Sequence, residues 1–292
     1  MKKLYAVVLL YNVSISDSIT CKNLKKIRAE NLKIIILDNS TKNFHNDEIC
    51  QKEGYIYINM GGNRGISIAY NKAIDFLLTI ENTIEEDYII WLDDDTEITE
   101  EYFKILNKEI INKVDVDIFA PIVYGQDGII YSPNKAGFIK NKLVKNEKDI
   151  ENITKFNAIN SCLCVKLKVY SNYKYDEILF LDQTDQNFFD DMRLRRAKFC
   201  VLNTVIHQNF SQRGENLNPQ KMLLRYEIRV KDIMRYGRKS ILNTIKSLIK
   251  SCGLAVQMGI KCRYLRIVTR CFGIAIKMFF YNIRNLITRR VK

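Results

Sequence analysis

The 292-residue sequence has few of the residues that build metal clusters or disulfide frameworks. It contains only two histidines, and its eight cysteines include no CxxC pair and no neighbouring His-rich stretch. We therefore expect reduced, mostly buried thiols, and neither a metal cluster nor a disulfide framework. The hydrophobic content of 47% is sufficient for a sizeable core, which argues against a disordered chain.

Several functional motifs are also missing. The sequence has no GxGxxG and no GK[ST], so a redox cofactor or ATP hydrolysis has little support. The longest uncharged runs of the C-terminal region, residues 251–260 and 271–276, are far shorter than the ~20 residues that a membrane-spanning helix needs. The apolar run that opens the chain is short and turns polar at Asn12, so we expect no signal peptide and a cytoplasmic protein.

The basic charge is concentrated in the last quarter of the chain. Residues 221–292 hold 18 Lys and Arg against two acids, whereas the first 220 residues hold 28 bases and 31 acids. Apolar residues recur every three or four positions in this tail, with Lys and Arg between them. This pattern predicts amphipathic helices that lie on a membrane surface and meet anionic head groups.

Short apolar runs alternate with amphipathic ones over the first 120 residues, which is typical of a largely parallel α/β sheet. The predicted strands cover residues 4–10, 33–37, 55–59 and 88–92. The predicted helices cover residues 16–30, 66–78 and 100–112. Further along, we predict a strand over 158–165, a helix over 184–198 and a strand over 199–206.

The sharpest motif is Asp93-Asp94-Asp95, which directly follows the predicted strand 88–92. Alternate side chains of a strand share a face, so Asp93 and Asp95 point to one side and Asp94 to the other. Two carboxylates on one side can hold Mg²⁺ or Mn²⁺, and the remaining coordination positions suit diphosphate oxygens. Spacing alone leaves open an acidic turn that caps the next helix.

Two segments have chemistry suited to a nucleotide. Asp38 ends the predicted strand 33–37 and can accept the imide N–H of uracil or thymine, although Asp-Asn-Ser is also an ordinary turn. Residues 61–65, Gly-Gly-Asn-Arg-Gly, open the helix predicted over 66–78. Glycines let the backbone approach a ligand closely, and a helix N-terminus beside Arg64 favours an anion.

A carboxylate and an imidazole complete the set of candidates. Asp185 shares a helix face with Phe188, Phe189 and Met192. An acid on that inward face can be a general base for an incoming hydroxyl or an N-terminal helix cap. His207 follows the predicted strand 199–206, where it can complete a two-carboxylate metal site or pack as a core residue.

Read in chain order, these segments resemble family 2 glycosyltransferases, particularly the rhamnosyltransferase-like branch that builds bacterial surface polysaccharides. The resemblance covers roughly residues 4–215, and its matching stretches are VVLLYN, IIILDNS, NRGISIAYNKAI, WLDDDTEI, NAINSCLCV, FLDQTDQNFFDDMR and VIHQNFSQRG. It implies a GT-A fold, a dTDP- or UDP-sugar donor carrying rhamnose or another hexose, Mn²⁺ or Mg²⁺ as cofactor, and inversion at the anomeric carbon.

The resemblance also implies a role for individual residues. Asp185 would be the general base, and the metal would be held by Asp93, Asp95 and His207. The residues implied for the donor nucleotide are Tyr11, Asn12, Asp38, Asn63, Arg64, Gly65, Asn71, Asp93 and Asp94. Those implied for the acceptor are Asn160, Ser161, Asp182, Asn187 and Phe188.

The chain departs from the family pattern in two places. The family's Asp-x-Glu-Trp stretch stands here as residues 185–188, Asp-Gln-Asn-Phe, so a carboxylate and an indole that often contact the acceptor are replaced. This departure puts the identity of the acceptor in doubt more than catalysis. The segment 140–154 has no recognisable counterpart, and its role is open.

The resulting expectation is a GT-A catalytic domain over residues 1–220, with a nucleotide-sugar half at 1–120 and an acceptor half at 121–220. The tail, 221–292, would bind the inner membrane leaflet, where lipid-linked glycan acceptors reside, and a homodimer through it stays open. One rival is a sugar nucleotidyltransferase, which needs a Gly-rich loop with Lys that residues 11–14 do not supply. The others are a non-catalytic scaffold and a basic nucleic-acid-binding protein. The near-neutral first 220 residues count against the latter.

Overall fold

The first part of the chain folds into alternating strands and helices, in a computed structural model that describes residues 2–80, 83–139, 141–150, 153, 155–208, 210 and 217–291. Its strands are β1 (Leu4–Leu10), β2 (Leu32–Asp38), β3 (Ile56–Asn59) and β4 (Tyr88–Asp93), followed by the short β5 (Thr96–Glu97). Its helices are α1 (Ile19–Leu24), α2 (Asn46–Glu53), α3 (Ile66–Thr79) and α4 (Glu100–Asn112). The predicted βαβ organisation is confirmed.

The second part adds strands to the same sheet. It contains β6 (Ile118–Gly125), β7 (Ile130–Ser132), β8 (Asn134–Lys135), β9 (Phe156–Asn157), β10 (Leu163–Lys166), α5 (Thr184–Leu194) and β11 (Phe199–Gln208). The strand order is β3-β2-β1-β4-β10-β6-β11-β5, with β7 beside β6 and with β8 and β9 paired separately. β10 runs antiparallel to its neighbours β4 and β6, and the short strands β5 and β7 also pair antiparallel, with β11 and β6 respectively. The central sheet is therefore mostly parallel, as predicted.

Helices cover both faces of the central strands, which explains why those strands read as continuous apolar runs. Every residue of β1 is buried, and so are five of the six residues of β4. Trp91 lies within β4 at 0% exposure and donates its indole N–H to the hydroxyl of Tyr170 at 2.8 Å. The buried sheet fixes the strand ends rigidly in place.

The structure differs from the predicted elements at several points, and one of them is the end of α5, which lies at Leu194 instead of residue 198. β6 was not predicted from the sequence, because Pro121 lies within it. This proline is tolerated because the pairing with β11 shifts register between Val201 and Val205, beside Pro121. The strand predicted over 158–165 begins only at Leu163, because Cys162 adopts a left-handed conformation with φ 60°. The helix predicted over 16–30 is confined to α1.

The C-terminal region forms three helices, α6 (Pro219–Tyr236), α7 (Ile241–Lys261) and α8 (Leu265–Val291). They share a small apolar core of their own that includes Val230, Met234 and Ile267. The predicted helical character of this region is confirmed, and the predicted boundary between residues 220 and 221 falls in the first turn of α6. Within the described part of the chain, no helix has the length and apolar character needed to cross a bilayer.

Candidate active site

A cavity of about 680 Å³ opens at the edge of the sheet where β1, β2, β3, β4 and β11 end. Ligands of open α/β sheets bind at this edge, because the carboxyl ends of parallel strands meet there. The cavity therefore collects residues from distant parts of the sequence. The predicted site residues that line it are Tyr11, Asn63, Gly65, Asp93, Asp94, Asp95, Asn160, Asp182 and Asp185.

The acidic turn after β4 is held by hydrogen bonds on both its backbone and its side chains. The hydroxyl of Ser161 donates to Asp93 Oδ2. The amide of Gln208 donates to the same oxygen at 2.9 Å and to Asp95 Oδ1 at 3.3 Å. The hydroxyl of Ser18, at the start of α1, donates to the carbonyl of Asp94 at 2.7 Å. The two outer carboxylates are thereby oriented by donors from β11 and from the turn before β10.

Crowding of these carboxylates opposes their ionisation. Burial, followed by the charges of Asp95 and Asp93, raises the pKa of Asp94 to about 7. Burial, followed by the charge of Asp93, raises the pKa of Asp95 to about 6. Carboxylates that repel one another in a partly buried turn are relieved by a bound cation. The electrostatics of the turn thus fit a divalent metal.

The residues around the turn also fit the coordination needs of Mg²⁺ or Mn²⁺. Within the described residues, no group of three or more His, Cys, Asp or Glu side chains is arranged to hold a metal. Asp93 and Asp95 supply two carboxylates, and the buried Oε1 of Gln208 accepts no hydrogen bond. Hard divalent cations take such oxygen ligands and commonly complete their shell with substrate phosphates and water.

His207 is not placed among these residues. Side chains alternate along β11, so Leu202, Ile206 and Gln208 face inward while His207 is exposed. The His207 ring lies 6.0 Å from the ring of Tyr124, outside the cavity. The prediction that it ligates a metal is therefore not supported. The period of two along this strand could have selected Gln208 from the sequence.

Asp185 lies in the first turn of α5 and reaches the same cavity as the acidic turn. Burial raises the pKa of its carboxyl to about 7, with further contributions from the charges of Asp93 and Asp182. Phe188 and Phe189, on the predicted inward face of α5, pack in the core that Trp91 occupies. This packing anchors the helix that carries the acid.

The nucleotide end of the cavity is built by β1, β2 and the start of α3. Asn39 accepts the backbone N–H of Arg64 at 2.8 Å and donates to Asn63 Oδ1 at 3.2 Å. Gly65 has φ +85°, and a Cβ there would lie 2.7 Å from the ring and the carbonyl of Phe180. A side chain at this position would thus force apart the start of α3 and the loop before α5. Asn39 was not predicted, because the charge at the end of β2 lies on its neighbour, Asp38.

Two residues predicted to bind the donor have their polar groups occupied by the protein. Asp38 is buried, and its Oδ2 accepts from Asn46 at 2.9 Å and from Tyr57 at 3.1 Å. Asn71 is also buried and holds the backbone of Tyr175 through bonds of 3.0 Å and 2.8 Å. Neither lines the cavity. Both instead hold the elements that surround it.

Five other predicted residues also lie outside the cavity lining. The Asn12 side chain accepts from Thr41, and Arg64 directs its Nε to the carbonyl of Met60 at 3.4 Å. The Asn187 side chain bonds to Asp191, and Phe188, one turn after Asp185, is fully buried in the core. Ser161 is absent from the lining as well but contacts Asp93 directly.

The C-terminal helices complete the cavity, which the sequence analysis did not anticipate. Arg225 of α6 forms an ion pair with Asp182, and Arg229 Nε lies 3.6 Å from the same carboxylate. Asp232, fully buried in α6, accepts the backbone N–H groups of residues 180–182 at 2.7–3.1 Å. Residues 221–292 were predicted to form a separate tail, so these contacts with the catalytic part were not expected.

The segment with no recognisable counterpart is only partly described. Residues 140, 151, 152 and 154 lie outside the described residues, as do 209 and 211–214 of the VIHQNFSQRG stretch. Glu147 accepts from the hydroxyl of Tyr124 at 3.0 Å, and Ile150 packs against Ile122 and Ile130. Asn141 lines the cavity. The described residues of this segment thus cover the β6–β7 side of the sheet and reach the site.

Comparison with known proteins agrees with this architecture. The dTDP-rhamnosyl transferase RfbF of Shigella flexneri is 28% identical over 231 residues, which cover 70% of this chain and 74% of RfbF. A Pyrobaculum calidifontis mannosyltransferase, PcManGT, solved with GDP-Man and Mn²⁺, superposes with a TM-score of 0.53 at 11% identity, covering 96% of this chain and 87% of its own.

S. aureus TarS has the same GT-A fold. Its 1–349 segment, solved with UDP, gives a TM-score of 0.52 at 12% identity and covers 94% of this chain and 90% of that segment. The chain spans 54% of a longer TarS structure. The model of the glycosyl transferase family 2 matches residues 6–174, more than half of the chain. The chain is a glycosyltransferase and belongs to glycosyl transferase family 2.

Proposed function

We propose that this glycosyltransferase moves rhamnose or another hexose from a dTDP- or UDP-sugar to a glycan or lipid-linked glycan acceptor, with inversion, in bacterial surface polysaccharide synthesis. One observation carries the proposal: Asp185 and the acidic turn at Asp93 line the same cavity although they come from separate parts of the chain. The likeness to a dTDP-rhamnosyl transferase supports the choice of donor.

The reaction is a single displacement. Asp185 accepts the proton of the acceptor hydroxyl while that oxygen bonds to the anomeric carbon, and the bond from this carbon to the diphosphate breaks. The nucleoside diphosphate leaves with both electrons of the broken bond. The raised pKa of Asp185 suits this role, because a general base works best when its pKa lies near the working pH.

Asp93, Asp95 and Gln208 would hold the divalent cation, Mn²⁺ or Mg²⁺. A cation bound there supplies charge that stabilises the departing diphosphate. Gln208 and Ser161 fix the carboxylates in one orientation, because both donate to Asp93. Asp94 contributes its negative charge to the same turn. Preorganisation of this kind lowers the cost of binding a cation and an anion together.

The nucleotide base and ribose would lie at the end of the cavity formed by Tyr11, Asn39 and Asn63. Tyr11 is 50% exposed and can stack on a planar ring. The hydrogen bond between Asn39 and Asn63 fixes the relative positions of these two side chains. Gly65 lines the cavity at the start of α3, where the absence of a side chain permits close packing against Phe180. Asp38 and Asn71 act as supports for this region.

A ligand panel tests the proposal. We expect dTDP or UDP to bind more tightly with Mn²⁺ present than with chelator, and GDP to bind more weakly than either, in calorimetric titrations of the full chain. Asp93→Asn should remove the effect of Mn²⁺. A sugar nucleotidyltransferase would release pyrophosphate rather than nucleoside diphosphate, so the product identified by chromatography separates the two reactions. Absence of nucleotide binding would contradict the proposed function.

The location of the enzyme is also proposed: a peripheral protein on the cytoplasmic face of the cell membrane. The exposed fractions of Leu242, Ile249 and Ile260 on α7 are 59%, 56% and 71%. Such apolar side chains beside an excess of Lys and Arg are typical of helices that lie in a bilayer interface. Each base near an anionic surface adds on the order of 1 kcal/mol of attraction.

A further inference from the structure

Three buried asparagines from the segments between β7 and β10 line the cavity. Asn134 lies in β8, Asn157 in β9 and Asn160 in the turn before β10, and their exposed fractions are 7%, 3% and 5%. Asn134 and Asn157 are directly opposite one another in the antiparallel pair of β8 and β9. Directly opposite residues of such a pair point to the same face, so the two amides are neighbours. We call the three residues the amide cluster.

The amide cluster has polar atoms that no part of the described chain satisfies. Asn134 Oδ1, Asn157 Nδ2 and both polar side-chain atoms of Asn160 are buried and have no hydrogen-bond partner among the described residues. Buried polar groups in folded proteins nearly always have a partner, because an unpartnered one loses its hydration without compensation. Four such atoms on three residues that line one cavity therefore point to a ligand.

The partners of the other amide atoms fix which way round two of these side chains lie. Asn134 Nδ2 donates to the backbone carbonyl of Tyr131 at 2.8 Å, and Asn157 Oδ1 accepts from Arg193 Nη1 at 3.0 Å. A carbonyl only accepts and a guanidinium only donates, so neither amide can be reversed. The neighbouring pair thus offers one acceptor and one donor to a ligand. A hydroxyl group uses both, because it can donate and accept at once, whereas a phosphate or carboxylate only accepts.

Asn160 connects the amide cluster to the proposed base. Burial, followed by the charge of Asp93, raises the pKa of the Asp185 carboxyl, and a hydrogen bond from the backbone N–H of Asn160 opposes that rise. Burial also raises the pKa of the Tyr70 hydroxyl, which the Asn160 side chain opposes without a hydrogen bond of normal geometry. A sugar held by the cluster would therefore lie beside the group that accepts its proton.

The strand order places the amide cluster away from the nucleotide end of the cavity. Asn39 and Asn63 follow β2 and β3, at one edge of the sheet, whereas β8 follows β7, which pairs with β6 on the other side of β4 and β10. The acidic turn after β4, proposed for the metal and the diphosphate, lies between them. In an inversion the attacking oxygen and the leaving diphosphate are on opposite sides of the anomeric carbon, so the acceptor approaches from the side away from the nucleotide. The amide cluster lies on that side.

We propose that the amide cluster binds hydroxyl groups of the acceptor sugar, so that Asn134, Asn157 and Asn160 determine which sugar receives the transferred residue. This inference rests on the proposed function and deepens it by naming the part of the acceptor that the enzyme recognises. One hydroxyl of the acceptor would donate to Asn134 Oδ1 and accept from Asn157 Nδ2. Asn160 would bind a second hydroxyl, next to the one that reacts with the donor.

The test uses the full chain with saturating dTDP or UDP and Mg²⁺, so that the donor site is occupied. The methyl glycosides of rhamnose, glucose, galactose and N-acetylglucosamine are titrated one at a time, and saturation-transfer NMR measures their binding. We expect at least one glycoside to bind while the nucleotide stays bound. Among the monodeoxy analogues of that glycoside, at least one should bind about tenfold more weakly, because it lacks a hydroxyl that the cluster holds.

Two variants assign that hydroxyl to the cluster, and each should weaken binding of the parent glycoside by about tenfold. Asn157→Asp retains the oxygen that accepts from Arg193 but replaces the donor by a second acceptor, and a hydroxyl cannot donate its one hydrogen to two residues. Asn160→Leu removes two unpartnered polar atoms at similar volume, so the unfolding temperature without ligand should not fall. The matched control, Asn112→Asp, makes the same change at an exposed position at the end of α4 and should leave the affinity within about twofold. In Asn157→Asp, the deoxy analogue should bind no more weakly than the parent glycoside.

Three outcomes would overturn the inference. The first is that no glycoside binds beside the nucleotide. The second is a glycoside affinity of Asn157→Asp equal to that of Asn112→Asp, which would count against the cluster even if Asn160→Leu failed to fold. The third is a loss confined to the extra affinity of dTDP-rhamnose or UDP-glucose over the free nucleotide, which would place the cluster on the transferred sugar instead. Failure of both dTDP and UDP to bind the unmodified chain, by contrast, would overturn the proposed function, and this inference with it.

Discussion

Asp185 sits where burial and the carboxylate of Asp93 both oppose its ionisation. A carboxyl in that environment is a poor choice for a helix cap, since Ser, Thr or Asn would cap without the electrostatic cost. A residue that is unfavourable for stability in its own surroundings often has a functional role. The same environment gives Asp185 the affinity for a proton that a general base requires.

The first prediction concerns turnover. Asp185→Asn should lower kcat by about two to four orders of magnitude, because the amide cannot accept the proton of the acceptor hydroxyl. The affinity for nucleotide and Mn²⁺ should stay within a few-fold, as neither is contacted by this side chain in the proposed reaction. Steady-state assays with calorimetric titrations check both parts. Turnover equal to that of the unmodified enzyme would exclude Asp185 as the base.

The second prediction concerns stability against pH. Burial raises the pKa of Asp185 in the folded protein to about 7, above its ordinary value of 3.8, so the folded protein holds this proton more tightly than the unfolded chain. The contribution of Asp185 to the free energy of unfolding is therefore present below about pH 4 and is lost as pH rises to about 7.

Asp185→Asn removes this pH-dependent loss of stability, because the amide does not ionise. Compared with the unmodified protein, the variant should be more stable at pH 8 and should gain little at pH 4. Urea denaturation at the two pH values, without metal, measures the difference. Asp94 and Asp95, whose pKa values are also raised, are present in both proteins, so their contributions to the difference in stability cancel. A gain that is equal at both pH values would contradict the assignment of the raised pKa to Asp185.

The third prediction uses neighbouring residues of β11 as a matched pair. Gln208→Leu should weaken Mn²⁺ binding by about 10- to 100-fold, because it removes a neutral oxygen and the donor that orients Asp93 and Asp95. His207→Ala should leave Mn²⁺ affinity unchanged, since His207 lies on the other face. Titration of Mn²⁺ in the presence of nucleotide measures both. The reverse order of effects would restore His207 as the ligand.

These residues show how far sequence reasoning reaches into the site. Asp93 and Asp185 could be selected because each interrupts an apolar pattern with a charge. Asp38 and Asn71 looked equally suitable, yet their polar groups are used up by Asn46, Tyr57 and Tyr175. Which partner satisfies a polar group depends on packing between distant segments, and that information is not local in the sequence.

At the scale of secondary structure, α6 holds the loop that leads to Asp185. Asp232 accepts three consecutive backbone N–H groups of this loop while it is itself fully buried. The loop has no strand or helix partner to satisfy those groups. The position of the proposed base therefore depends on an element that lies outside the family match, which ends at residue 174.

The fourth prediction follows from this contact. Asp232→Ala should lower the free energy of unfolding by roughly 3 kcal/mol or more, because it leaves several buried N–H groups without an acceptor. Asp75→Ala, which breaks the exposed pair with Lys174, should cost less than about 1 kcal/mol. Denaturant unfolding compares the two. Equal, small losses would mean that α6 does not hold this loop.

Strands and helices were predictable where their apolar pattern in the sequence was clear. β1 and β4 are uninterrupted apolar runs, and α3 has a clean helical period, so their positions agreed with the sequence analysis. β6 was not predicted, because a proline such as Pro121 normally argues against a central strand. Its register shift against β11 is a tertiary feature, and a single segment does not reveal it.

At the scale of the whole molecule, the C-terminal helices have two surfaces with different tasks. One surface closes the cavity through Arg225, Arg229 and Lys261, and the other exposes apolar side chains of α7. The charge distribution predicted a cationic, amphipathic region correctly. It did not predict that this region packs on the catalytic part, because amphipathic periodicity does not distinguish lipid from protein as the partner.

The fifth prediction concerns the membrane. The triple variant Leu242→Ser, Ile249→Ser and Ile260→Ser should float with anionic vesicles several-fold less than the unmodified chain, because it removes exposed apolar area without changing the charge. Nucleotide binding should be retained, since these residues lie outside the cavity lining. The matched control, Ile111→Ser and Val114→Ser, removes exposed apolar area near α4 instead. Equal flotation of all three proteins would exclude α7 as the docking surface.

The most direct test is a crystal structure of the full chain with dTDP or UDP and Mn²⁺, measured at the manganese absorption edge. The anomalous peak is expected within bonding distance of Asp93 and Asp95. The diphosphate should lie beside it, with the Asp185 carboxylate facing the space beyond the diphosphate. A peak elsewhere on the protein, or a nucleotide that leaves Asp185 on the far side of another element, would contradict a shared pocket for metal and base.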